Sequence, residues 1–292
     1  MNTGTCMIES STAVLRFWGV RGSIPTPGPS TLRYGGNTTC IELRIGSEMI
    51  VIDAGSGIRA LGGSLVREFG AEPISLSVLI THTHWDHIQG FPFFAPAFGK
   101  NNRIRVIGPQ SEPDGLMGVF EKQMDGSRCF PVTLGMMSAQ VSFEHLDKDQ
   151  GIQFEIGEVK VTSCPTNHPG GCLAYRFETP AGGIAFLSDH ETGGDDELRI
   201  LEFIKDAKIL IADAQYDASE MVARKGWGHG CTDDVVSLAL RAGTEQLYLF
   251  HHDPMHDDAF IDAMVEHAKG LVRQSGALLK VQAAAEGCEI SI

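Results

Sequence analysis

Cysteines are few in this sequence and follow no recognisable spacing. There are seven in 292 residues, an odd number, and no two of them are spaced C-x-x-C. They occupy positions 6, 40, 129, 164, 172, 231 and 288. A disulfide scaffold needs paired cysteines, and a cysteine-rich zinc site needs closely spaced ones. The sequence therefore predicts small buried thiols in a reducing compartment.

Long apolar runs are also absent. No segment reaches the roughly 18 uninterrupted apolar residues of a membrane-spanning helix. The N-terminal segment "MNTGTCMIESSTAVLRF" has no basic region followed by an apolar stretch, which a secretory signal would need. These absences predict a cytoplasmic protein with no membrane partner.

Basic residues are scarce. The chain has 23 Lys and Arg against 37 Asp and Glu, a formal net charge of −14. Nucleic acids and anionic membranes are bound mainly through Lys and Arg, so this balance predicts that nucleic acid is not a partner. A local basic patch is the alternative. An apolar fraction of 42% with 21% charged residues is typical of a soluble globular protein.

Apolar and alternating segments recur along the chain with turn residues between them. Examples are "CIELRI", "SLSVLIT", "KILIAD" and "QLYLFHH", which predict strands. Helical periodicity fits residues 57–69, 113–125, 196–206, 232–242 and 257–273. Thr232 is predicted as the N-cap of the fourth helix. With no repeat and no linker, the pattern indicates a layered α/β sandwich with external helices, in one domain over residues 1–292.

One short stretch, "LITHTHWDHIQGF" at residues 79–91, concentrates imidazole groups. The β-branched run ends at Thr81, so the histidines begin where a buried strand opens into a loop. His82 and His84 share one face because alternate side chains in an extended chain point the same way. Asp86 and His87 follow as the chain turns into a helix. Imidazole and carboxylate groups at this spacing predict a metal site.

Four ligands from one loop cannot complete two metal sites, so further ligands must follow at later strand ends. His168 in "CPTNHPGG", Asp189 in "IAFLSDHE" and His251 in "QLYLFHH" each follow a predicted buried strand. Open α/β sheets collect functional side chains at such positions. His252, beside His251, is the alternative for the last ligand.

The ordered set H-x-H-x-D-H, His, Asp, His resembles the metallo-β-lactamase fold superfamily over essentially the whole chain. The resemblance implies a four-layer αββα sandwich that holds two divalent metal ions. The implied ligands are His82, His84 and His168 for one ion, Asp86, His87 and His251 for the other, and Asp189 as the bridge. Zn²⁺ suits these donors, although Mn²⁺ and Fe²⁺ also accept them.

A second motif narrows the branch of the superfamily. The segment "GWGHGCTDD" carries His229 and is similar to the "GHST" motif of the phosphodiesterase branch, which includes transfer-RNA 3′-processing endonucleases and cyclic-nucleotide phosphodiesterases. Here Gly230 and Cys231 stand in place of the serine, and Thr232 is retained. The opening glycine-rich loop and the "D-x-G" turn at residues 53–55 also resemble that branch. The resemblance implies a dinuclear metal-dependent phosphodiesterase, a phosphoric diester hydrolase.

Two residues are the candidates for catalysis. Asp86 can orient the attacking hydroxide while it binds metal. The resemblance places His229 across from the metals, where it would stabilise the transition state or protonate the leaving alkoxide. Asp213 ends another predicted strand, and it is predicted either to support a ligand histidine or to act as a structural cap.

The Gly/Pro-rich loop near the N-terminus supplies candidates for substrate binding. These are Arg21, Ser23, Arg33 and Asn37, and arginine is suited to phosphate oxygens. The alternative is that the two arginines are solvated loop charges. Trp85, between two predicted ligands, is expected to be a packing residue.

The segment between His168 and Asp189 bears on the substrate. Transfer-RNA endonucleases of this branch usually insert an RNA-clamping arm there, whereas this sequence predicts a simple hairpin. A small phosphodiester, a 3′,5′-cyclic nucleotide, is therefore the expected substrate. The alternatives are a ribonuclease Z-like RNA endonuclease and a thioester or lactone hydrolase. The oligomeric state stays open between a monomer and a homodimer.

Overall fold

The computed structural model describes residues 13–110, 115–194 and 196–292. Fourteen strands lie within these residues. They are β1 (Ala13–Gly19), β2 (Cys40–Ile45), β3 (Glu48–Ile52), β4 (Ser75–Leu79), β5 (Arg103–Pro109), β6 (Gln140–Leu146), β7 (Gln153–Ile156), β8 (Val159–Pro165), β9 (Leu173–Thr179), β10 (Gly182–Leu187), β11 (Ala207–Asp213), β12 (Gln246–Phe250), β13 (Lys280–Ala283) and β14 (Glu289–Ser291). They form two seven-stranded sheets, in the orders β14-β1-β2-β3-β4-β5-β6 and β13-β12-β11-β10-β9-β8-β7.

Seven α-helices connect or follow the strands in the described part of the chain. They are α1 (Ile58–Phe69), α2 (Trp85–Ile88), α3 (Gly115–Gln123), α4 (Glu197–Ile204), α5 (Ala218–Arg224), α6 (Thr232–Arg241) and α7 (Asp258–Ser275). Short 3₁₀ turns occupy Pro29–Thr31, Phe91–Phe93, Ala95–Phe98 and Leu134–Met136. None of the helices in these described ranges is long and apolar enough to cross a membrane.

Alternate side chains of the strands fill the layer between the two sheets. In β1, Leu15 and Phe17 are buried while the positions between them are half-buried. Phe17 packs on Phe250 of the other sheet with ring centroids 6.0 Å apart, and Phe250 packs on Phe186 at 5.4 Å. Each such buried ring contributes about 1.5–3 kcal/mol. This interface fixes the two sheets face to face.

Helices cover the outer face of each sheet. Val51 and Val78 on the first sheet pack in one apolar cluster with Leu61 of α1. Leu249 on the second sheet packs in another cluster with Val236 of α6. The predicted four-layer αββα sandwich is therefore confirmed. We propose that the whole chain is one domain, because β14 near the C-terminus pairs with β1 near the N-terminus.

All five predicted helices are present. Their bounds lie within two residues of the expected ones, except that the expected start of the second helix, residue 113, lies outside the described residues. The N-cap prediction for α6 is wrong: Cys231 is the N-cap, and Thr232 is the first helical residue, whose hydroxyl donates to the carbonyl of Tyr216. The strands β1, β7 and β14 and the helix α5 were not predicted. β7 and β14 are three or four residues long, too short for a period to emerge.

In both sheets, the carboxyl ends of the parallel strands lie at the same edge of the sandwich. β3 and β4 are parallel, as are β10, β11 and β12. β8 runs in the same direction as β10 because both are antiparallel to β9. The two sheets meet here through the backbone N–H of Leu173, which donates to the carbonyl of Thr81 at 2.9 Å. Side chains that follow these strands therefore converge.

Candidate metal centre

Three histidines from two sheets converge in a first cluster. His82 and His84 follow β4, and His168 follows β8. The Nδ1 atom of His84 lies 3.0 Å from Nε2 of His168, and the ring of His82 lies 4.4 Å and 4.8 Å from those two rings. Ring nitrogens this close together can all bind a single ion placed between them. His82 and His168 are buried, whereas His84 is exposed.

A second cluster lies beside the first. The Nε2 atom of His87 is 3.3 Å from Oδ2 of Asp86 and 3.3 Å from Nε2 of His251. The Nε2 atom of His251 is also 3.3 Å from Oδ2 of Asp86. All three side chains are buried. The local geometry arises because α2 begins directly after the strand-end loop and directs Asp86 and His87 inwards.

Asp189, which follows β10, faces both clusters with different oxygens. Its Oδ1 lies 3.4 Å from Nε2 of both His87 and His251. Its Oδ2 lies 3.6 Å from Nε2 of His82 and 3.8 Å from Nε2 of His168. The residue has a positive φ of 31°, which aims the side chain back over the strand end. A carboxylate in this position can bridge two cations.

The residues present fit divalent cations. The Nε2 atom of His82 is buried and has no hydrogen-bond partner in the described structure, an arrangement that a ligand would satisfy. Burial, together with electrostatic repulsion from His87, lowers the pKa of His82 well below its usual value. The imidazole is therefore neutral, which is the form that binds metal. Burial alone would lower the pKa of His251. The carboxylates of Asp189 and Asp86 have the opposite effect, and the resulting pKa of His251 is about 9. The carboxylates thus favour positive charge at this position.

Asp53 and Thr81 contact the Nδ1 atoms of two candidate ligand histidines, on the side of each ring away from Nε2. Asp53 is fully buried after β3 and has a φ of 60°. Its Oδ2 lies 2.7 Å from Nδ1 of His87, and its Oδ1 accepts from the backbone N–H of Thr81 at 2.8 Å. The hydroxyl of Thr81 is 3.1 Å from Nδ1 of His82. Hydrogen bonds at one ring nitrogen fix the tautomer that leaves the other free for metal.

Two further contacts orient the remaining histidines. The carbonyl of Gly228 is 2.9 Å from Nδ1 of His168. Oε1 of Gln215 is 3.0 Å from Nδ1 of His251. Sequence reasoning missed Gln215 because nothing in the local pattern marks it. Asp53 was recognised only as part of a turn, although an aspartate directly after a buried strand is the signal that could have found it.

The neighbouring histidines 251 and 252 have different environments. His252 is buried with its Nε2 against the carbonyl of Ala284 at 3.0 Å, and its ring packs edge-on against Tyr34. Burial lowers the pKa of His252 to about 3. The structure therefore places His251, and not His252, among the candidate ligands.

His229 lies against both clusters on the more open side. Its Nδ1 is 2.9 Å from Oδ2 of Asp213, and its ring stacks on His251 with centroids 5.1 Å apart. Burial lowers the pKa of His229, but Asp213 and Asp189 together raise it by more, so the net shift is upwards. Of the two expectations for Asp213, the geometry favours support of a histidine, and that histidine is His229. Because Asp213 occupies Nδ1, Nε2 is the nitrogen left for chemistry.

The structure contradicts the substrate-binding prediction for Arg21. The side chain is fully buried, and its guanidinium donates to the carbonyls of Gly35, Asp253 and His256 at 2.8, 3.0 and 2.6 Å. Arg21 therefore joins the loop to the segment after β12, and it is neither a substrate ligand nor a solvated charge.

Arg33 and Asn37 are likewise bound to carboxylates elsewhere in the chain. The Arg33 guanidinium pairs with Asp258 and Asp262 on α7. The amide nitrogen of Asn37 donates to Glu286 at 2.9 Å. Both predictions of substrate contact are corrected on this basis, because the polar groups are already bound within the chain.

Ser23 is the loop residue that the structure places at the site. Its backbone N–H donates to Oδ2 of Asp86 at 2.7 Å, and its φ of 63° turns the chain towards that carboxylate. The prediction for Trp85 is wrong: the side chain is 65% exposed beside the centre and does not pack in the core. The exposed indole lies next to His84 in the chain.

A cage of histidines and aspartates at the shared edge of an αββα sandwich defines a metal-dependent hydrolase of the metallo-β-lactamase fold. A family model described as the beta-lactamase superfamily domain matches residues 48–252. The chain belongs to this superfamily. The predicted membership and the predicted hydrolase class are thus confirmed, and the matched span contains every candidate ligand.

Individual relatives are similar over nearly their full lengths. A ribonuclease Z from Picrophilus torridus is 19% identical, and the alignment covers 91% of this chain and 93% of the relative. The metallo-beta-lactamase fold protein YhfI from Bacillus subtilis has a TM-score of 0.70 at 19% identity, covering 97% of this chain and 100% of that one. Human tRNase Z, short form, has a TM-score of 0.67 at 18% identity, covering 96% and 98%.

These relatives correct one prediction from the sequence. The net charge of −14 led to the expectation that nucleic acid is not a partner. The full-length similarity to a ribonuclease Z contradicts that expectation. Net charge averages over the whole surface, whereas a nucleic acid is bound by the local field around one site.

Proposed function

We propose that this chain is a phosphodiester hydrolase that holds two divalent cations, with Zn²⁺ as the first candidate. The observation that carries the proposal is the position of His229, which Asp213 holds against the histidine cage with one ring nitrogen free. A thioester or lactone hydrolase needs the cage alone. Phosphodiester cleavage expels an alkoxide, and a proton donor at this position serves that step.

Individual residues have separate roles in the proposed reaction. Two bound cations would supply a water of lowered pKa and would neutralise charge on the phosphoryl oxygens. Asp86 orients the attacking oxygen, and the backbone N–H of Ser23 fixes the direction of that carboxylate. His229 donates a proton from Nε2 to the leaving oxygen. Asp213 stabilises the protonated imidazole beforehand by accepting from Nδ1.

RNA is the first candidate substrate. The support for it is the similarity over nearly the full length to a ribonuclease Z. The exposed position of His84 and Trp85 leaves the first cluster open at the surface, which suits an extended strand more than an enclosed ligand. An aromatic face at the rim can stack on a base.

A 3′,5′-cyclic nucleotide is the second candidate, and one observation favours it. β9 and β10 pair directly from Thr179 to Gly182, and the Thr179 hydroxyl donates to the carbonyl of Gly182 at 2.7 Å. The predicted hairpin is therefore present, and it leaves no clamping arm between His168 and Asp189. An RNA substrate would have to be held by other surfaces.

The test is a substrate panel on the metal-loaded protein. We expect hydrolysis of bis(4-nitrophenyl) phosphate and of at least one nucleotide diester, and loss of both activities when a chelator removes the metal. Short RNA, 3′,5′-cyclic mononucleotides, a thioester and a lactone are assayed in parallel. Hydrolysis of the thioester or lactone with no activity on any diester would overturn the proposal. The ratio of kcat/KM for RNA and cyclic nucleotide decides between the two candidates.

A further inference from the structure

A cavity of about 210 Å³ adjoins the first histidine cluster. His82 and His84 form one wall, and Gly170 and Gly171, in the turn after His168, form another. Lys148, in the loop that follows β6, also lines the cavity. Among the described residues that line it, Lys148 is the one lysine or arginine, and no aspartate or glutamate is present.

Lys148 lies beside Gly171, in the turn that follows His168. Its side chain is half-buried, and Cδ lies 3.6 Å from the position that a Cβ on Gly171 would occupy. Gly171 is in turn tied to the ligand turn, because its backbone N–H donates to the carbonyl of His168 at 3.0 Å. In the described structure no carboxylate forms an ion pair with the Lys148 ammonium group. Such a lysine is a strongly hydrated point charge with three donors.

We propose that this cavity binds a phosphate of the substrate other than the one that is cleaved, with Lys148 as its cationic partner. The inference rests on the proposed phosphodiesterase activity and deepens it, because it specifies a substrate with at least two phosphates. A lysine in a cavity that adjoins the first histidine cluster, where the scissile phosphate would bind, is placed to contact a neighbouring phosphate of a nucleotide chain. A cyclic mononucleotide, with one phosphate, leaves the cavity without its anion.

The charges around the cavity allow it to bind an anion although the protein as a whole is acidic. The cavity walls contributed by His82, His84 and the two glycines carry no carboxylate. A phosphate there meets the lysine without an acidic side chain among the lining residues. The net charge of −14 therefore does not describe this part of the surface.

The first test is equilibrium binding to the metal-loaded full-length chain. A nucleoside 5′-monophosphate offers one phosphate, and the corresponding 3′,5′-bisphosphate offers a second. We expect the bisphosphate to bind about tenfold more tightly, as one charge-assisted hydrogen-bonded contact provides. The ratio should fall towards one in Lys148→Ala and be largely kept in Lys148→Arg. Lys160→Ala, which removes an exposed lysine from β8, is the matched control.

A second arm distinguishes an internal phosphate from a terminal one. KM is measured for a dinucleoside monophosphate, for the same compound with a 5′-phosphate, and for the trinucleoside diphosphate. A Lys148→Ala effect confined to the trinucleotide assigns the cavity to an internal phosphate of an RNA strand. An effect confined to the 5′-phosphorylated compound assigns it to a terminal phosphate.

The outcomes separate this inference from the proposed function. If bis(4-nitrophenyl) phosphate is hydrolysed but the binding ratio is the same in the unmodified protein and in Lys148→Ala, the subsite is wrong and the phosphodiesterase stands. If no diester is hydrolysed but the bisphosphate preference depends on Lys148, the subsite stands and the proposed reaction is wrong. Equal weakening of the mono- and bisphosphate in Lys148→Ala also overturns the subsite.

Discussion

Replacement of Asp189 by alanine is expected to lower the metal content from the proposed two ions per chain to one or fewer and to reduce kcat/KM by at least about 10³-fold. The two carboxylate oxygens of Asp189 face different clusters, at 3.4 Å from His87 and 3.6 Å from His82. Its loss removes a ligand from both sites at once. Elemental analysis after dialysis gives the metal content, and diester hydrolysis gives the rate.

Two further variants make this result interpretable. Asp147→Ala removes an exposed aspartate from the loop that follows β6, and it should keep both ions. Asp189→Asn keeps the shape but loses the negative charge, so its metal content should be intermediate. Two tightly held ions in Asp189→Ala, with the protein folded by circular dichroism, would show that the bridge assignment is wrong.

His229→Ala should keep both metal ions and lose about 10²- to 10⁴-fold in kcat. His229 is not needed to complete either cluster, and its Nδ1 is already occupied by Asp213 at 2.9 Å. The expected loss reflects the missing proton donor. The measurement pairs the metal content with kcat on a diester whose leaving group is a nucleoside alkoxide.

The leaving group provides the control for this assignment. 4-Nitrophenolate is a far weaker base than an alkoxide and needs little protonation. The loss in His229→Ala should therefore be much smaller on bis(4-nitrophenyl) phosphate than on the nucleoside ester. Equal losses on both substrates would instead indicate that His229 stabilises charge on the phosphoryl group. Unchanged activity on both would exclude His229 from catalysis.

The candidate metal centre could be predicted because its residues occupy one kind of local position. His82, His168, Asp189 and His251 each follow a strand that is recognisable from its apolar run. The ends of parallel strands lie at the same edge of a sheet. Recognition of each strand was therefore sufficient to predict that these side chains lie close together. The choice between the two histidines after β12 needed the structure, because only backbone direction separates them.

The loop predictions failed because the partners of that loop lie far along the chain. Arg21 bonds to carbonyls near residue 253, and Arg33 pairs with Asp262 on α7. No local pattern reports such contacts. A polar residue in a glycine-rich loop looks the same in sequence whether it binds a ligand or another segment. Of the four loop candidates, Ser23 contacts a candidate metal ligand, through its backbone N–H.

The exclusion of nucleic acid failed for a related reason. It was drawn from composition, and composition contains no information about position. Lys148 shows the difference, since one lysine in a cavity next to the candidate metal ligands counts for little in the net charge. The electrostatics of a binding site depend on the groups within roughly one Debye length, about 8–10 Å at moderate salt.

We expect hydrolysis of a phosphodiester to depend on two cations held by the His and Asp cage. The most direct measurement is a Zn²⁺ titration of the metal-stripped protein, in which hydrolysis of bis(4-nitrophenyl) phosphate is followed after each addition. Activity is predicted to reach its maximum at two equivalents per chain and to remain absent without metal. A maximum at one equivalent, or no hydrolysis at any loading, would contradict the account.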